Sequence, residues 1–84
     1  MTIFVTKLNK QVNAFQLIKV FSKFGQVEDA KIIYDKFSRE SKGFGFVEMP
    51  DDEAAKKAIE TLNETELEGN IIIVKEAEPP KRFG

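Results

Sequence analysis

The residues best suited to binding a ligand are two phenylalanines in the stretch Lys42 to Met49, where aromatic residues alternate with glycines. Side chains of a strand alternate between its two faces, so Phe44 and Phe46 share one face. The same face carries Lys42 at one end and Glu48 at the other, which predicts that it meets solvent. Two aromatic rings on a solvent-exposed face lower the solubility of a protein unless a ligand or partner covers them. The stretch therefore predicts a binding surface that uses its rings.

The composition excludes most chemistry at a reactive centre. The 84 residues include no cysteine and no histidine, which removes disulfides, thiol chemistry, histidine-based nucleophile pairs and the usual zinc ligands. We therefore expect neither a metal nor a cofactor. No segment approaches membrane-spanning length, and the N-terminus lacks a basic region followed by an apolar run. The expectation is a soluble, cytoplasmic protein with no membrane partner.

The charge is unevenly distributed along the chain. The formal net charge is only −1, unlike the strongly basic balance of many nucleic-acid-binding domains. Between Asp51 and Glu68, however, seven acidic residues stand against two lysines, which gives this segment −5 and leaves +4 for the rest. Such a domain can present a basic face and an acidic back, and local fields steer binding more than total charge does.

Hydrophobic periodicity predicts six elements in the order β-α-β-β-α-β. Strands are expected over Thr2–Leu8, Val27–Tyr34, Lys42–Met49 and Ile71–Lys75, one helix from Asn13 to about Phe24, and a second helix beginning at Asp51 or Asp52. The acidic segment 63–69 is expected to be a loop. Two similar halves in this order predict an α+β, ferredoxin-like sandwich, with a four-stranded antiparallel sheet of order 4-1-3-2 and both helices on one face.

Local signals add detail to this arrangement. Asn13 followed by Gln16 is a variant of the capping box, and Gly25 suits a left-handed helix stop. Gly43 and Gly45, on the core side of their strand, would let the helices lie close to the sheet. We expect a single domain over residues 1–78 and a short flexible tail over 79–84, because two prolines end the last strand.

The predicted strand order places the first and third strands at the centre of the sheet. Phe4 then becomes a neighbour of Phe44 and Phe46 on the open face. Two aliphatic residues, Ile33 and Ile73, and several lysines are expected beside these rings. A flat sheet that bears three rings offers stacking to unpaired bases.

Two segments match a known family. Lys42–Met49 (KGFGFVEM) resembles the octapeptide ribonucleoprotein motif of RNA recognition motif (RRM) domains, and Ile3–Leu8 (IFVTKL) resembles their hexapeptide motif. As a short chain with one such domain, it looks like the small single-RRM proteins of bacteria. It departs from the family at Thr6 and Lys7, where the hexapeptide often has glycine and asparagine.

The resemblance implies a non-catalytic module that binds single-stranded RNA. The three rings would stack on bases, and lysines would neutralise phosphates. The main chain near the end of the last strand would hydrogen-bond base edges. Duplexes are not expected as ligands, because their bases are already stacked. The predicted RNA-binding set comprises Phe4, Phe44, Phe46, Lys42, Lys31, Ile33, Lys75 and Ala77.

Three alternatives stand beside this prediction. Single-stranded DNA could be the ligand in place of RNA. The 2′-hydroxyl distinguishes the two, and the sequence contains no residue that can be assigned a contact to it. The fold could instead serve as a protein-interaction or dimerisation domain, through the acidic second helix or the apolar sheet face, giving a weak homodimer or a complex with a protein partner. An acyl-phosphate hydrolase would need an arginine in a phosphate-cradling loop, and neither Arg39 nor Arg82 lies in one. We therefore expect no enzyme.

Overall fold

The structure is a computed structural model that describes residues 1–77. Seven elements follow one another along the chain: β1 Thr2–Thr6, α1 Ala14–Phe21, β2 Asp29–Tyr34, β3 Ser41–Glu48, α2 Asp52–Leu62, β4 Thr65–Leu67 and β5 Asn70–Ala77. The predicted tail over 79–84 lies outside the described residues. Within residues 1–77 no helix is long and apolar enough to cross a membrane.

The strands form one antiparallel sheet of order β2-β3-β1-β5-β4. The α+β class is confirmed, and the four long strands stand in the predicted relative order. The prediction of four strands is wrong, because the segment expected as a loop contains β4. Glu68 and Gly69, both at positive φ (50° and 87°), make a two-residue turn that pairs Leu67 with Asn70. Turns with two positive φ values match the twist of hairpin strands.

The Glu68 backbone leads to a stability prediction. A side chain with a Cβ is strained in the left-handed region, and asparagine tolerates it best. We expect Glu68→Asn to raise the free energy of unfolding by about 0.5–1 kcal/mol, measured by urea denaturation. Glu66→Asn, which removes a carboxylate from β4 at an ordinary φ, is the control for the change in charge. Glu68→Asn also removes the hydrogen bond that the Glu68 carboxylate accepts from the Gln16 side chain (3.1 Å). Equal effects of the two substitutions would show that charge, and not the turn backbone, controls stability here.

One face of the sheet packs against both helices, as predicted. Alternate residues of the central strands point into this core, among them Ile3 and Val47, which are fully buried. Each helix contributes a stripe at spacings of three and four. The buried helix residues are Leu17 and Phe21 from α1 and Ala55 and Ala58 from α2.

Side-chain caps begin both helices. The Asn13 side chain accepts a hydrogen bond from the backbone N–H of Gln16 (2.9 Å), and the Gln16 side chain accepts one from the backbone N–H of Asn13 (3.0 Å). This confirms the predicted capping box. Asp51 caps α2 by accepting from the N–H groups of the first turn. The first helix ends at Phe21 rather than near Phe24.

Two glycines have other roles than the ones predicted. Gly25 is not in the left-handed region, so the predicted helix stop is wrong. A Cβ on Gly25 would lie 2.7 Å from the Cβ of Ala54, so its absence lets α2 approach. A Cβ on Gly45 would collide with the Lys31 carbonyl oxygen of β2. The close neighbour of Gly45 is therefore a strand, whereas the sequence predicted a helix.

Candidate nucleic-acid interface

Three phenylalanine rings cluster on the face of the sheet that the helices leave uncovered, here called the open face. Phe4 of β1 lies directly opposite Phe46 of β3, with ring centroids 5.1 Å apart and planes inclined by 26°. Phe44 meets both rings edge-on, at centroid distances of 5.6 and 6.4 Å. All three side chains are half-buried. Each therefore leaves part of its ring available to a ligand.

Lysines flank the rings in the same cross-strand row. Lys31 of β2 lies opposite Phe46. On the other side, Lys75 of β5 lies opposite Phe4, and its Nζ is 5.8 Å from the ring centroid, within cation–π range. Both lysines are exposed. Across four strands, the row therefore consists of a lysine, two aromatic rings and a second lysine. This pattern suits a ligand that combines planar rings with negatively charged groups.

The structure places the remaining predicted residues around this row. Lys42 is exposed near the start of β3. Ile33 is half-buried at the irregularity in the pairing of β2 with β3. Ala77 lies opposite Thr2, two residues along β1 from Phe4. The predicted set therefore shares one surface, with Ile33 and Ala77 at its margins.

Carboxylates occupy one end of the open face. Asp29 of β2 lies opposite Glu48 of β3, which in turn lies opposite Thr2 of β1. The Thr2 hydroxyl donates a hydrogen bond to the Glu48 carboxylate. Two acids in direct cross-strand positions repel one another and any nearby phosphate. The sequence placed Glu48 on this face but did not predict Asp29 beside it, because that depends on strand register.

Lysines line a cavity at the opposite end of the face, here called the lysine pocket. Its volume is about 400 Å³, and it opens between the segment after β1, the start of β3 and the start of β5. Its walls include Lys7, Lys10, Ser41, Lys42, Phe44 and Asn70. Lys7, Lys10 and Asn70 were not predicted as site residues. Lys7 and Lys10 lie three residues apart in the sequence, which indicates local positive charge. The sequence does not show that this segment meets the starts of β3 and β5.

The turn between β2 and β3 borders this end of the sheet. The Asp35 carboxylate accepts hydrogen bonds from the backbone N–H groups of Ser38 (3.0 Å) and Phe37 (2.8 Å). These bonds hold the pKa of the Asp35 carboxyl below its usual value, with Lys42 adding a smaller electrostatic effect. The turn presents the Phe37 side chain, which is 92% exposed, to solvent.

Residues 3–73 match the profile of the RNA recognition motif. The chain belongs to the RRM family. Both ribonucleoprotein-like segments lie on the two central strands of this RRM, as the resemblance implied. RRM domains are RNA-binding modules without catalytic activity, as expected from the sequence of this chain.

Two curated relatives of this RRM are longer proteins. It is 47% identical over 75 residues to glycine-rich RNA-binding protein 8 of Arabidopsis thaliana, covering 89% of this chain and 44% of that protein. It is 41% identical over 81 residues to a chloroplastic 29 kDa ribonucleoprotein of the same plant, covering 94% of this chain and 24% of that protein. The chain spans half or less of the length of these curated relatives. They are plant proteins, so the expected likeness to small bacterial proteins is not borne out.

Solved structures agree with the fold. The crystal structure of RNA binding protein PG1 superposes with a TM-score of 0.91 at 43% identity, covering 96% of this chain and 99% of that one. The second RRM of yeast poly(U)-binding protein gives a TM-score of 0.84 at 23% identity, with 96% and 98% covered. The second comparison supports the fold alone.

Proposed function

We propose that this RRM binds single-stranded RNA on its open face, stacking bases on Phe4, Phe44 and Phe46. The observation that carries this proposal is the cluster of three half-buried rings on two central strands, bounded by a lysine on each side. Base–aromatic stacking contributes about 1–3 kcal/mol per base. The family membership supports RNA as the ligand, as do the names of the relatives.

Single strands suit this surface better than duplexes. The rings form part of a broad sheet surface and can be reached only by bases that have left their own stack. In A-form RNA the bases are stacked and their major-groove edges lie in a deep, narrow groove. A loop or an unpaired tail presents free base faces to the rings at a lower cost.

The predicted polar and marginal residues have complementary roles in this proposal. Lys31 and Lys75 lie at the two ends of the ring row and would neutralise phosphates on either side of the stacked bases, and Lys42 would neutralise a third. Ile33 extends the apolar surface beyond the rings. Ala77 offers its main chain at the edge of the row, where base edges can form hydrogen bonds.

A comparison of single-stranded and duplex RNA tests the proposal. The probe is a fluorescent RNA of about ten nucleotides without self-complementarity, titrated alone and annealed to its complement. We expect clear binding only of the single strand. With about three phosphates neutralised, log K should fall with log salt at a slope near −2. Equal affinity for the duplex would contradict stacking. Titration of the single-stranded DNA of the same sequence shows whether the 2′-hydroxyl contributes to binding.

A second use of the same face is favoured by aliphatic residues beside the rings. Ile71 is 55% exposed, and Ile73 is half-buried opposite Thr6 of β1. This apolar margin could pair with a copy of the chain or with another protein. Light scattering across a concentration series would detect a weak homodimer. Competition between dimer formation and RNA would assign both to the open face.

A further inference from the structure

The outer edge of β2 is the longer of the two free edges of the sheet. β2 stands at one end of the strand order and has 6 residues, whereas β4 at the other end has 3. Within residues 1–77, no strand pairs with the outer side of β2. An edge strand presents a row of unpaired backbone N–H and C=O groups, which can pair with a strand of another chain. β2 is therefore the edge to which a partner strand can add.

The exposed apolar residues of α1 lie on the same side of the molecule as this edge. The Gln16 side chain donates a hydrogen bond to the Glu68 carboxylate at the turn before β5 (3.1 Å), so this side of α1 faces away from β2. Residues two positions apart point to nearly opposite sides of a helix. Ile18 therefore faces the β2 edge, and Phe15 lies next to it on the helix surface. Their side chains are 36% and 79% exposed.

Two charged residues make the β2 edge complementary to itself. Asp29 and Lys31 are two residues apart, so they share one face of the strand, and both are exposed. Among residues 1–77 neither has an ion-pair partner. In an antiparallel pairing of two β2 strands with Ala30 opposite Ala30, each Asp29 lies opposite Lys31 of the other copy. Opposite charges in such positions stabilise the pair.

The same charges select this register over its neighbours. A pairing centred on Lys31 would place the two Lys31 side chains opposite each other, and one centred on Asp29 would do the same to the carboxylates. Like charges directly opposite each other destabilise a strand pair. Charged side chains on an edge strand usually discourage pairing with other chains. Here their alternating sign discourages all but one register and favours a second copy of the chain in that one.

We propose that the chain forms a homodimer in which the β2 strands of two copies pair antiparallel about Ala30. Phe15 and Ile18 of each α1 pack against the other copy on the helix side of the joined sheet. The contact is self-complementary, as a two-fold dimer requires. Opposite residues of an antiparallel pair point to the same face of the sheet. Both open faces therefore point the same way, and the rings of both copies stay uncovered.

Charge reversal tests both the partner and the register. Asp29→Lys places like charges opposite each other at two points of the dimer, and so does Lys31→Asp. Each variant alone should have a dimer dissociation constant raised at least about tenfold. An equimolar mixture of the two variants should dimerise again, because every reversed charge then meets an opposite one. Sedimentation equilibrium at low salt, where surface charges are least screened, measures these constants.

Ile18→Lys tests the contact made by the helix. It should also raise the dissociation constant at least about tenfold, because it places a charge where apolar surface is buried. Ile71→Lys is the matched control, since it makes the same change at a 55% exposed position of β5, away from the β2 edge. This control should leave the dimer intact. Circular dichroism verifies that each variant is folded.

Three outcomes would overturn the edge dimer. The first is a wild-type chain that stays monomeric up to about 1 mM, which would leave the β2 edge to a strand of a different protein. The second is a mixture of the two charge variants that remains monomeric. The third is a dimer that Ile71→Lys dissociates and Ile18→Lys does not, which would assign the contact to the apolar margin of the open face. No RNA enters these measurements, so their result is independent of the proposed function.

Discussion

Replacing Phe46 by alanine is expected to weaken binding of a single-stranded RNA by about 5- to 150-fold, the equivalent of about 1–3 kcal/mol of base stacking. Phe46 lies at the middle of the row, opposite both Phe4 and Lys31. Its removal deletes one ring on which a base can stack and leaves the Phe4 ring without its stacked neighbour. Fluorescence anisotropy at constant salt measures the change in dissociation constant.

Two variants keep this experiment interpretable. Phe15→Ala removes an equally large ring from α1, where it is 79% exposed, and should leave affinity unchanged. Phe46→Leu retains apolar cover while it removes the π face, so most of the loss should persist. Circular dichroism verifies folding of each variant, because Phe46 is half-buried. Wild-type affinity in Phe46→Ala would exclude stacking at this ring.

Gly45→Ala is expected to lower the free energy of unfolding by about 1–3 kcal/mol, as overpacking does in a dense core. The added methyl group would collide with the Lys31 carbonyl oxygen, and it would lie 3.3 Å from the Ile32 Cα. The Ile32 Cδ1, at 3.2 Å, can move by a change of rotamer, but the other two obstacles are backbone atoms that no rotamer change can shift. The midpoint of thermal unfolding should fall by about 4–8 °C for each kcal/mol lost.

Gly69→Ala is the comparison that isolates sterics. Gly69 has nothing within 4 Å of an added Cβ, and its φ is +87°. Its replacement should cost about 1 kcal/mol through backbone strain alone. If Gly45→Ala proved milder than Gly69→Ala, β2 would not be held against β3 at Gly45. Urea denaturation curves of the two variants decide the order.

Much of the framework could be predicted because it depends on local rules. Period-two alternation placed Phe4, Phe44 and Phe46 on one face. The spacing of Asn13 and Gln16 predicted a cap that depends only on neighbouring residues. Strand order followed from the chain topology and handedness. Each of these needs no knowledge of which distant atoms touch.

Two of the missed features are contacts between distant segments, and the third is a local turn with weak sequence signals. The sequence predicts a left-handed helix stop at Gly25, yet the close neighbour of Gly25 is Ala54 of α2, which no sequence rule places beside it. The Glu68–Gly69 turn lacks the asparagine or aspartate that usually marks a two-residue hairpin, and β4 has only 3 residues. The lysine pocket needs three segments to meet. Such features arise from packing, so a single sequence carries little trace of them.

The short strand β4 also covers an edge of β5 that would otherwise be open to strands of other chains. β5 contains four consecutive β-branched residues, Ile71 to Val74, the kind of segment that adds strands from other chains when its edge is open. β4 pairs with residues 70–72, and the Asn63 side chain accepts from the Val74 N–H (2.8 Å). On this side of the sheet, opposite the β2 edge, the outermost strand is therefore only 3 residues long, with the charged Glu66 at its centre.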